Sequence, residues 1–190
     1  MPHVTLNPKF PEALQNALDR KDWTHAEFAR RVGYTRSTVS MYCSGSRPVP
    51  AADAARMCRL VDDPELCAAF IYDFTGGVAL WLDGDRVDHH RMSVLAKATE
   101  EGEEALDAIR CAVSQLVNAR NVGELTEEGV RLLDAAHHNI AEAMLGFNQL
   151  LADSCIQFER SYMAVWDRLR SECHTKGYMR KEVVHHVSVA

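Results

Sequence analysis

The chain has 190 residues, of which 47% are hydrophobic and 25% charged, and its formal net charge is −6. This composition is sufficient for a buried core in one domain or in two small ones, and no run of about 18 apolar residues is present to form a membrane span. Because the first residues also lack the charged-then-apolar layout of a secretory signal, the sequence predicts a soluble, cytoplasmic protein with no membrane partner.

The charge is distributed unevenly along the chain. Residues 1–60 carry nine Lys and Arg and five acidic side chains, a balance of +4, whereas the other residues carry 12 basic and 22 acidic side chains, a balance of −10. This asymmetry predicts that only the amino-terminal part approaches a polyanion. Random variation among so few surface charges is the alternative interpretation.

Three short helices are predicted in the first quarter of the chain. The first has about ten residues and an apolar face at helical spacing, formed by Phe10, Ala13, Leu14, Ala17 and Leu18. Thr24 and Glu27 are spaced as in a capping box, which predicts a second helix over 25–32. Thr35 is a further hydroxyl cap and predicts a third helix over 36–43.

Two more helices follow the linker SRPVP. A fourth is predicted over 51–61, and Asp63 followed by Pro64 predicts the start of a fifth, because Pro is tolerated at the first helical position. Two glycines then interrupt the helical pattern. Residues 76–92 are therefore interpreted as a linker, either an apolar connector or a short strand with a turn.

Two long helices joined as a hairpin are predicted after the linker. Apolar or small residues step alternately by three and four along one seam of each helix. The first seam comprises Ala98, Gly102, Ala105, Ile109, Ala112 and Leu116, and the second comprises Val130, Leu133, His137, Ile140, Met144, Phe147 and Leu151. His137 on this seam is interpreted either as a satisfied core histidine or as a residue that tunes pairing with pH.

Such a hairpin leaves an apolar stripe uncovered, so it requires a third helix or a second subunit. We favour a homodimer over a closed monomeric bundle, with Ile109, Leu116, Leu133, His137, Ile140, Met144 and Phe147 as the dimerisation residues. The predicted fold class is all-α. It comprises a five-helix domain at 1–75, the linker at 76–92 and a helical oligomerisation domain at 93–190.

The second and third predicted helices are typical of a helix-turn-helix. Each has about eight residues, and Gly33 lies in the turn between them, a geometry in which the second helix enters the DNA major groove. Val39 is the apolar anchor that turns the other side chains of this helix outward. Arginine, hydroxyl and methionine side chains can contact base edges, which predicts base readers at Arg36, Ser37, Thr38 and Met41.

A longer pattern runs through the same segment, T-Q-x-E-x-A-x-x-x-G-x-[ST]-x-x-x-[VI]-S-x-x-x-x-G. The matching residues are Thr24, Glu27, Ala29, Gly33, Thr35, Val39, Ser40 and Gly45, with His25 in place of the glutamine. Through this pattern residues 10–62 resemble the Cro and cI-repressor type of helix-turn-helix domain, the XRE-like group of phage and bacterial regulators. The resemblance implies the same four base readers, and phosphate contacts from Thr24, His25, Ser40, Tyr42 and Arg47.

The residues from Glu100 onward also resemble the helical tail of phage regulatory proteins, through a turn containing Gly and Thr before an acidic helix start.

The sequence contains none of the common enzyme motifs, since it has no glycine-rich phosphate loop, no GxSxG and no HExxH. The six cysteines form no CxxC, which favours reduced core thiols. The adjacent histidines at 89–90, 137–138 and 185–186 lack the usual spacing of zinc ligands, so no metal or cofactor is expected.

The combined hypothesis is a sequence-specific transcription regulator, a repressor of phage or prophage type, in the bacterial cytoplasm. It binds an inverted-repeat operator in double-stranded DNA as a homodimer and is not an enzyme. The alternative is a protein-interaction adaptor, antitoxin-like or anti-repressor-type, that acts on a protein effector through its acidic helical tail.

Overall fold

The structure is a computed structural model that describes residues 9–78, 80–82, 87–88 and 90–179, without the side chains of Ser114, Leu116 and Val122. This part of the chain contains α-helices and one short 3-10 turn but no strand. The helices are α1 (Phe10–Arg20), α2 (His25–Val32), α3 (Arg36–Cys43), α4 (Ala51–Val61), α5 (Pro64–Thr75), α6 (Arg91–Asn118), α7 (Glu127–Gln157) and α8 (Tyr162–Thr175). The all-α prediction is confirmed. We call α1 to α5 the head and α6 to α8 the tail.

The helix boundaries of the head follow from local caps. The Thr24 amide donates to Glu27 Oε2 at 2.8 Å, and the Glu27 amide donates to Thr24 Oγ1 at 3.2 Å, so the predicted capping box is present. At α5, Asp63 accepts a hydrogen bond from the Leu66 amide at 3.0 Å. Because such caps lie within a few residues of the helix start, the sequence predicts α2 and α3 with the bounds that the structure has, and it predicts those of α4, which has no side-chain cap, as well.

The head encloses a core of large side chains contributed by all five helices. Those with less than 2% exposure are Leu14, Leu18, Phe28, Val39, Tyr42, Met57, Val61 and Leu66. Burial of a large apolar side chain contributes roughly 1.5–3 kcal/mol. Most of this core therefore lies within the five helices of the head, and Ala152, Cys155 and Tyr162 of the tail complete it.

An ion-pair cluster joins α1 to the start of α5. Asp63 is buried at 3% exposure and accepts from Arg20 Nε at 2.9 Å and from Nη2 at 2.8 Å, while Arg20 Nη1 lies 2.6 Å from Glu65 Oε2. Desolvation lowers the pKa of Arg20, but the charges and hydrogen bonds of both carboxylates outweigh it and raise that pKa. Two-point pairing satisfies the buried carboxylate and fixes the angle between α1 and α5.

In the tail, α6 and α7 form an antiparallel hairpin with a seam of small residues. The buried small residues of this seam are Ala98, Gly102, Ala105 and Ala112 on α6 and Gly129, Ala136, Ala143 and Gly146 on α7, and Val94 and Gln149 are buried as well. A Cβ placed on Gly146 would lie 3.3 Å from the Ala98 Cα, so the two backbones approach closely at this point. The hairpin prediction is confirmed, as is the predicted α6 seam at its four small positions.

The seam predicted for α7 is wrong by one residue, a rotation of about 100° around the helix. Met144 is 68% and Phe147 52% exposed, and His137 is exposed too, so it is not a core histidine. Alanine and glycine let α6 and α7 pack at short range, which excludes the larger side chains from the contact. The large residues of α7 consequently point to the side of the hairpin.

The connecting segments lie on either side of the hairpin. The helix α6 begins at Arg91, and the described residues between 76 and 90 contain no strand. The helix α7 ends at Gln157. Glu159, in the turn that follows, has a φ of +50°, and α8 then returns toward the head. Among the described residues, no helix combines the length and apolarity needed to cross a membrane.

Candidate nucleic-acid interface

The turn between α2 and α3 projects the third helix from the head. Gly33 has a φ of +77°, and the Tyr34 amide donates to the Ala29 carbonyl at 2.9 Å, which closes α2. Thr35 then begins α3, since its hydroxyl accepts from the Thr38 amide at 3.1 Å. This helix-turn-helix arrangement matches the one that the sequence predicts.

The helix α3 has one buried and one exposed side. Val39 and Tyr42 have 0% and 1% exposure and anchor the helix on the core. Arg36, Ser37 and Ser40 are exposed on the opposite side. Three of the predicted contact residues are therefore accessible to a large ligand on the outer surface of α3.

Thr38 and Met41 occupy more restricted positions. Both are half-buried, and the Thr38 hydroxyl lies 2.9 Å from the Thr35 hydroxyl. The hydroxyl of Thr38 is therefore held at the helix start by Thr35.

A compact loop follows α3 and is organised around one carbonyl. The Met41 carbonyl oxygen accepts from the Arg47 amide at 3.2 Å and from the hydroxyls of Ser44 and Ser46 at 3.2 and 3.3 Å. This cluster holds the exposed Arg47 beside α3. Ser44 and Ser46 were not among the predicted site residues, although the run CSGSR, rich in small polar residues, is the sequence signal for such a loop.

The phosphate contact predicted for Tyr42 is not supported, because the whole residue is 1% exposed. Its ring packs edge-on against Tyr34 with centroids 5.7 Å apart, and the Arg47 guanidinium lies 5.8 Å from the Tyr42 ring centroid. A hydrogen bond to Asp53, together with desolvation, raises the pKa of Tyr34 to about 12. The tyrosine pair thus supports α3 and the Arg47 side chain from the side of the core.

The start of α2 presents two of the predicted phosphate contacts. Thr24 is exposed, with its hydroxyl engaged in the capping box. His25 Nε2 lies 2.8 Å from Gln15 Oε1, so a hydrogen bond holds the imidazole ring against α1. A phosphate contact by His25 then falls to its backbone amide, one of the groups that a helix amino terminus supplies to anions.

The arginines of the head separate into engaged and accessible groups. Arg56 donates to the Val32 carbonyl at 3.0 Å, and Arg31 lies over the Trp23 ring with its Cζ 4.3 Å from the centroid. Trp23 was not among the predicted site residues, although it directly precedes the Thr24 cap. Within the described part of the chain, no hydrogen bond or ion pair engages the guanidinium of Arg36.

The acidic tail joins the head away from α3. Among the described residues, the polar contacts between them come from Arg59 on α4, Asp62 in the turn after α4 and Cys67 on α5. The described part of the tail therefore leaves the exposed side of α3 open.

The remaining predicted positions are distributed along the tail. On α6 and α7, Ile109, Leu133 and Ile140 are half-buried, whereas the side chain of Leu116 lies outside the described residues. Among the described residues, no three His, Cys, Asp or Glu side chains are grouped so as to hold a metal ion. His89, His185 and His186 fall outside those residues.

A family model described as a helix-turn-helix domain matches residues 13–65, from within α1 to the start of α5. No curated protein and no solved structure matches the chain. The match confirms the helix-turn-helix prediction, and the finer resemblance to the Cro and cI type stays a prediction. The chain contains a helix-turn-helix domain at residues 13–65, a module typical of DNA-binding regulators, followed by a tail of longer helices.

Proposed function

We propose that this protein is a sequence-specific transcription regulator, a repressor of the XRE-like phage type, that binds an inverted-repeat operator as a homodimer without catalysing a reaction. The observation that carries the proposal is the position of Arg36. Its guanidinium is exposed at the first turn of α3 and engaged by no described residue, on the helix that enters the major groove in a helix-turn-helix. The repressor acts at the bacterial nucleoid.

The base contacts follow from the geometry of α3. Arg36 is the residue suited to a bidentate contact with guanine, and Ser37 and Thr38 offer a hydroxyl and a methyl group beside it. The phosphate contacts come from Ser40 on the same helix, from Arg47 in the loop after it and from the amino terminus of α2. Because phosphate contacts release counterions, we expect affinity to fall steeply as salt concentration rises.

The dimer is supported by an apolar surface on the side of the hairpin, which we call the hairpin face. It consists of Leu95, Leu106, Val113 and Val117 on α6 and Val130, Met144 and Phe147 on α7, each between 37% and 76% exposed. Helical spacing places each set on one side of its helix, and Phe147 joins the sets, since a Cβ on Gly102 would lie 2.6 Å from its Cζ.

The size of the hairpin face matches a second copy of the chain. Taking about 200 Å² for a fully exposed large apolar residue, these seven residues offer roughly 700 Å². A standard interface buries about 800 Å² per partner, and the largest apolar patch of a typical monomer is about 300–600 Å². Two hairpins facing each other form a four-helix bundle, which places Ile109, Leu133, His137 and Ile140 at or beside the interface.

The test is a matrix of variants against operator variants, with the operator selected from random DNA. R36A should lose about 1–3 kcal/mol of binding free energy, concentrated at one base position, whereas R47A should weaken all sequences alike. R131A is the matched control, because Arg131 is exposed on α7 of the tail and pairs there with Glu128 at 2.6 Å, and it should bind as the unmodified protein does. Equal losses for R36A across every operator variant would refute the assignment of Arg36 as a base reader.

The second candidate function is the protein-interaction adaptor. The same hairpin face favours it, because this apolar surface lies on an acidic tail. In that case the hairpin face covers a helix of an effector protein, and the head supplies only weak, non-specific anchoring. Mobility shifts with a salt series and the mass of the purified protein in solution separate the two. A dimer that binds one DNA sequence tightly supports the regulator, whereas a monomer with only weak binding to any DNA supports the adaptor.

A further inference from the structure

Asp62 occupies an unusual position between α4 and α5. It terminates α4 in the left-handed conformation, with a φ of +53° and a ψ of +53°. Glycine adopts this conformation at the lowest cost, and aspartate is among the few other residues that tolerate it. Besides adopting this backbone conformation, Asp62 makes a contact through its carboxylate, which a glycine could not make.

That contact is made with the tail, 101 residues further along the chain. Asp62 Oδ1 accepts a hydrogen bond from the Met163 amide at 2.7 Å. Met163 is the second residue of α8, where backbone amides lack partners within the helix and a negative charge is stabilised by the helix dipole. One carboxylate of the head therefore caps a helix of the tail.

Further contacts surround this hydrogen bond and make the junction. Cys67 Sγ lies 3.8 Å from Met163 Sδ, and Arg59 Nη1 lies 3.5 Å from Asp167 Oδ1. Tyr162 is buried at 7% exposure in the core of the head, and its hydroxyl donates to Asn148 Oδ1 on α7 at 2.8 Å. The α7–α8 corner is thus inserted into the head and at the same time tied to the hairpin.

The junction connects the two parts whose relative orientation matters on DNA. The hairpin face lies on α6 and α7, while the base readers lie on α3 of the head. In a dimer that pairs through the hairpin face, the junction determines where each α3 lies relative to the two-fold axis. Adding one base pair between half-sites moves a half-site by about 3.4 Å and rotates it by roughly 35°, so a rigid junction selects one spacing.

We propose that Asp62 is a positioning residue that fixes the spacing between the two half-sites of the operator, by locking α8 of the tail to α4 of the head. The inference rests on the proposed function, because it requires a dimer that binds DNA. It assigns specificity for operator spacing to a residue far from the base readers, and it leaves recognition of a single half-site to the head alone.

The experiment compares the full-length protein with D62G and D62N on a series of operators. The half-site spacing varies by zero, one and two base pairs around the selected operator, and a single half-site serves as reference. D62G removes the carboxylate without straining the left-handed turn, while D62N retains an oxygen acceptor and tolerates the same conformation. Circular dichroism and sedimentation establish that each variant is folded and has the same mass as the unmodified protein.

We expect the unmodified protein to prefer one spacing by about tenfold or more, since a displaced head loses base contacts. D62G should reduce this preference to about twofold to threefold and leave the affinity for the single half-site unchanged, whereas D62N should keep most of the preference. Loss of the preference in D62N as well would also support the inference and assign the effect to the charge at the α8 amino terminus.

Two results overturn the inference while the proposed function stands. One is a D62G variant with unchanged spacing preference, and the other is an equal loss on the single half-site and on every spaced operator, which marks a purely structural role. If the unmodified protein selects no spaced inverted repeat at all, it is the proposed function that fails.

Discussion

The head and the hairpin of the tail bury opposite kinds of residue. In the head, Leu14, Phe28 and Met57 have 0% exposure. In the hairpin most of the buried positions are alanine and glycine, while Met144 and Val117 are 68% and 76% exposed. The head completes its core within one chain, whereas the hairpin brings two backbones together and leaves its large side chains for a partner.

The difference has functional consequences for how each part is used. A domain with a complete core presents a rigid outer surface, and α3 uses that surface to place Arg36 toward solvent. A hairpin with a narrow seam of small residues keeps its apolar surface available for association.

The strongest test of the contrast is a matched pair of phenylalanine truncations. F28A removes a ring with 0% exposure from the head and should lower the free energy of unfolding by about 3–5 kcal/mol. F147A removes a ring that is 52% exposed and should cost less than about 1.5 kcal/mol in the monomer. Urea denaturation followed by circular dichroism, at a concentration where the protein is monomeric, measures both. Similar losses for the two variants would contradict the contrast.

A charge on the hairpin face should break the dimer without unfolding the chain. M144D introduces a carboxylate at a position that is 68% exposed in the single chain but covered in the proposed dimer. We expect the dimer dissociation constant to rise at least about 30-fold, a loss of about 2 kcal/mol, as measured by sedimentation equilibrium.

The control for this variant is A135D. Ala135 is exposed and lies nine residues before Met144, so it points to the opposite side of α7. A dimer weakened equally by A135D, or unaffected by M144D, would place the interface elsewhere.

Substitution at the turn of the head tests whether backbone conformation positions α3. Gly33 has a φ of +77°, and an added Cβ would meet no atom within 4 Å, so steric clash with neighbours is absent and only backbone strain remains. G33A should lower the free energy of unfolding by about 1–2 kcal/mol, and G33N by less, because asparagine tolerates the left-handed conformation. Thermal denaturation checks the order of the two variants. G33N less stable than G33A would contradict a strain-only effect.

The smallest expected effect is the titration of the capping box at α2. Hydrogen bonds from the Thr24 amide and then from its hydroxyl lower the pKa of Glu27 below its ordinary value. The stabilisation is therefore fully present above the unfolded pKa of about 4.3 and is lost as the pH falls through the lowered folded value. NMR titration of the Glu27 carboxyl group measures the midpoint.

Thr24→Ala provides the control for this titration. It removes the hydroxyl but keeps the backbone donor, so the Glu27 pKa should rise only part of the way to its ordinary value. A midpoint at or above that ordinary value in the unmodified protein would show that the capping box does not persist in solution.

The sequence predicts those features whose causes are local. Thr24, Gly33 and Thr35 determine the helix ends around the turn by caps and by one left-handed residue, and the structure has the same bounds. The burial of Tyr42 was not predictable in this way, because it depends on contacts with Tyr34, which follows the Gly33 turn. The pattern that implied a phosphate contact describes the order of residues and not their depth.

The face of α7 illustrates a limit of periodicity. Two stripes with the same heptad spacing run one residue apart along this helix, one of them small, through Ala136 and Ala143, and one large, through His137 and Met144. Periodicity alone does not determine which stripe meets α6, and hydrophobicity favours the large one. The choice depends on how closely two backbones can approach, a property of the pair of helices. The junction at Asp62 depends in the same way on a residue 101 positions away.

The measurement that tests the central claim most directly is the selection of DNA from a random pool by the full-length protein. The account predicts enrichment of an inverted repeat whose half-sites are about one helical turn, or a multiple of it, apart, bound by two copies of the chain. Enrichment of no sequence, or of a single unrepeated site bound by one copy, would contradict it.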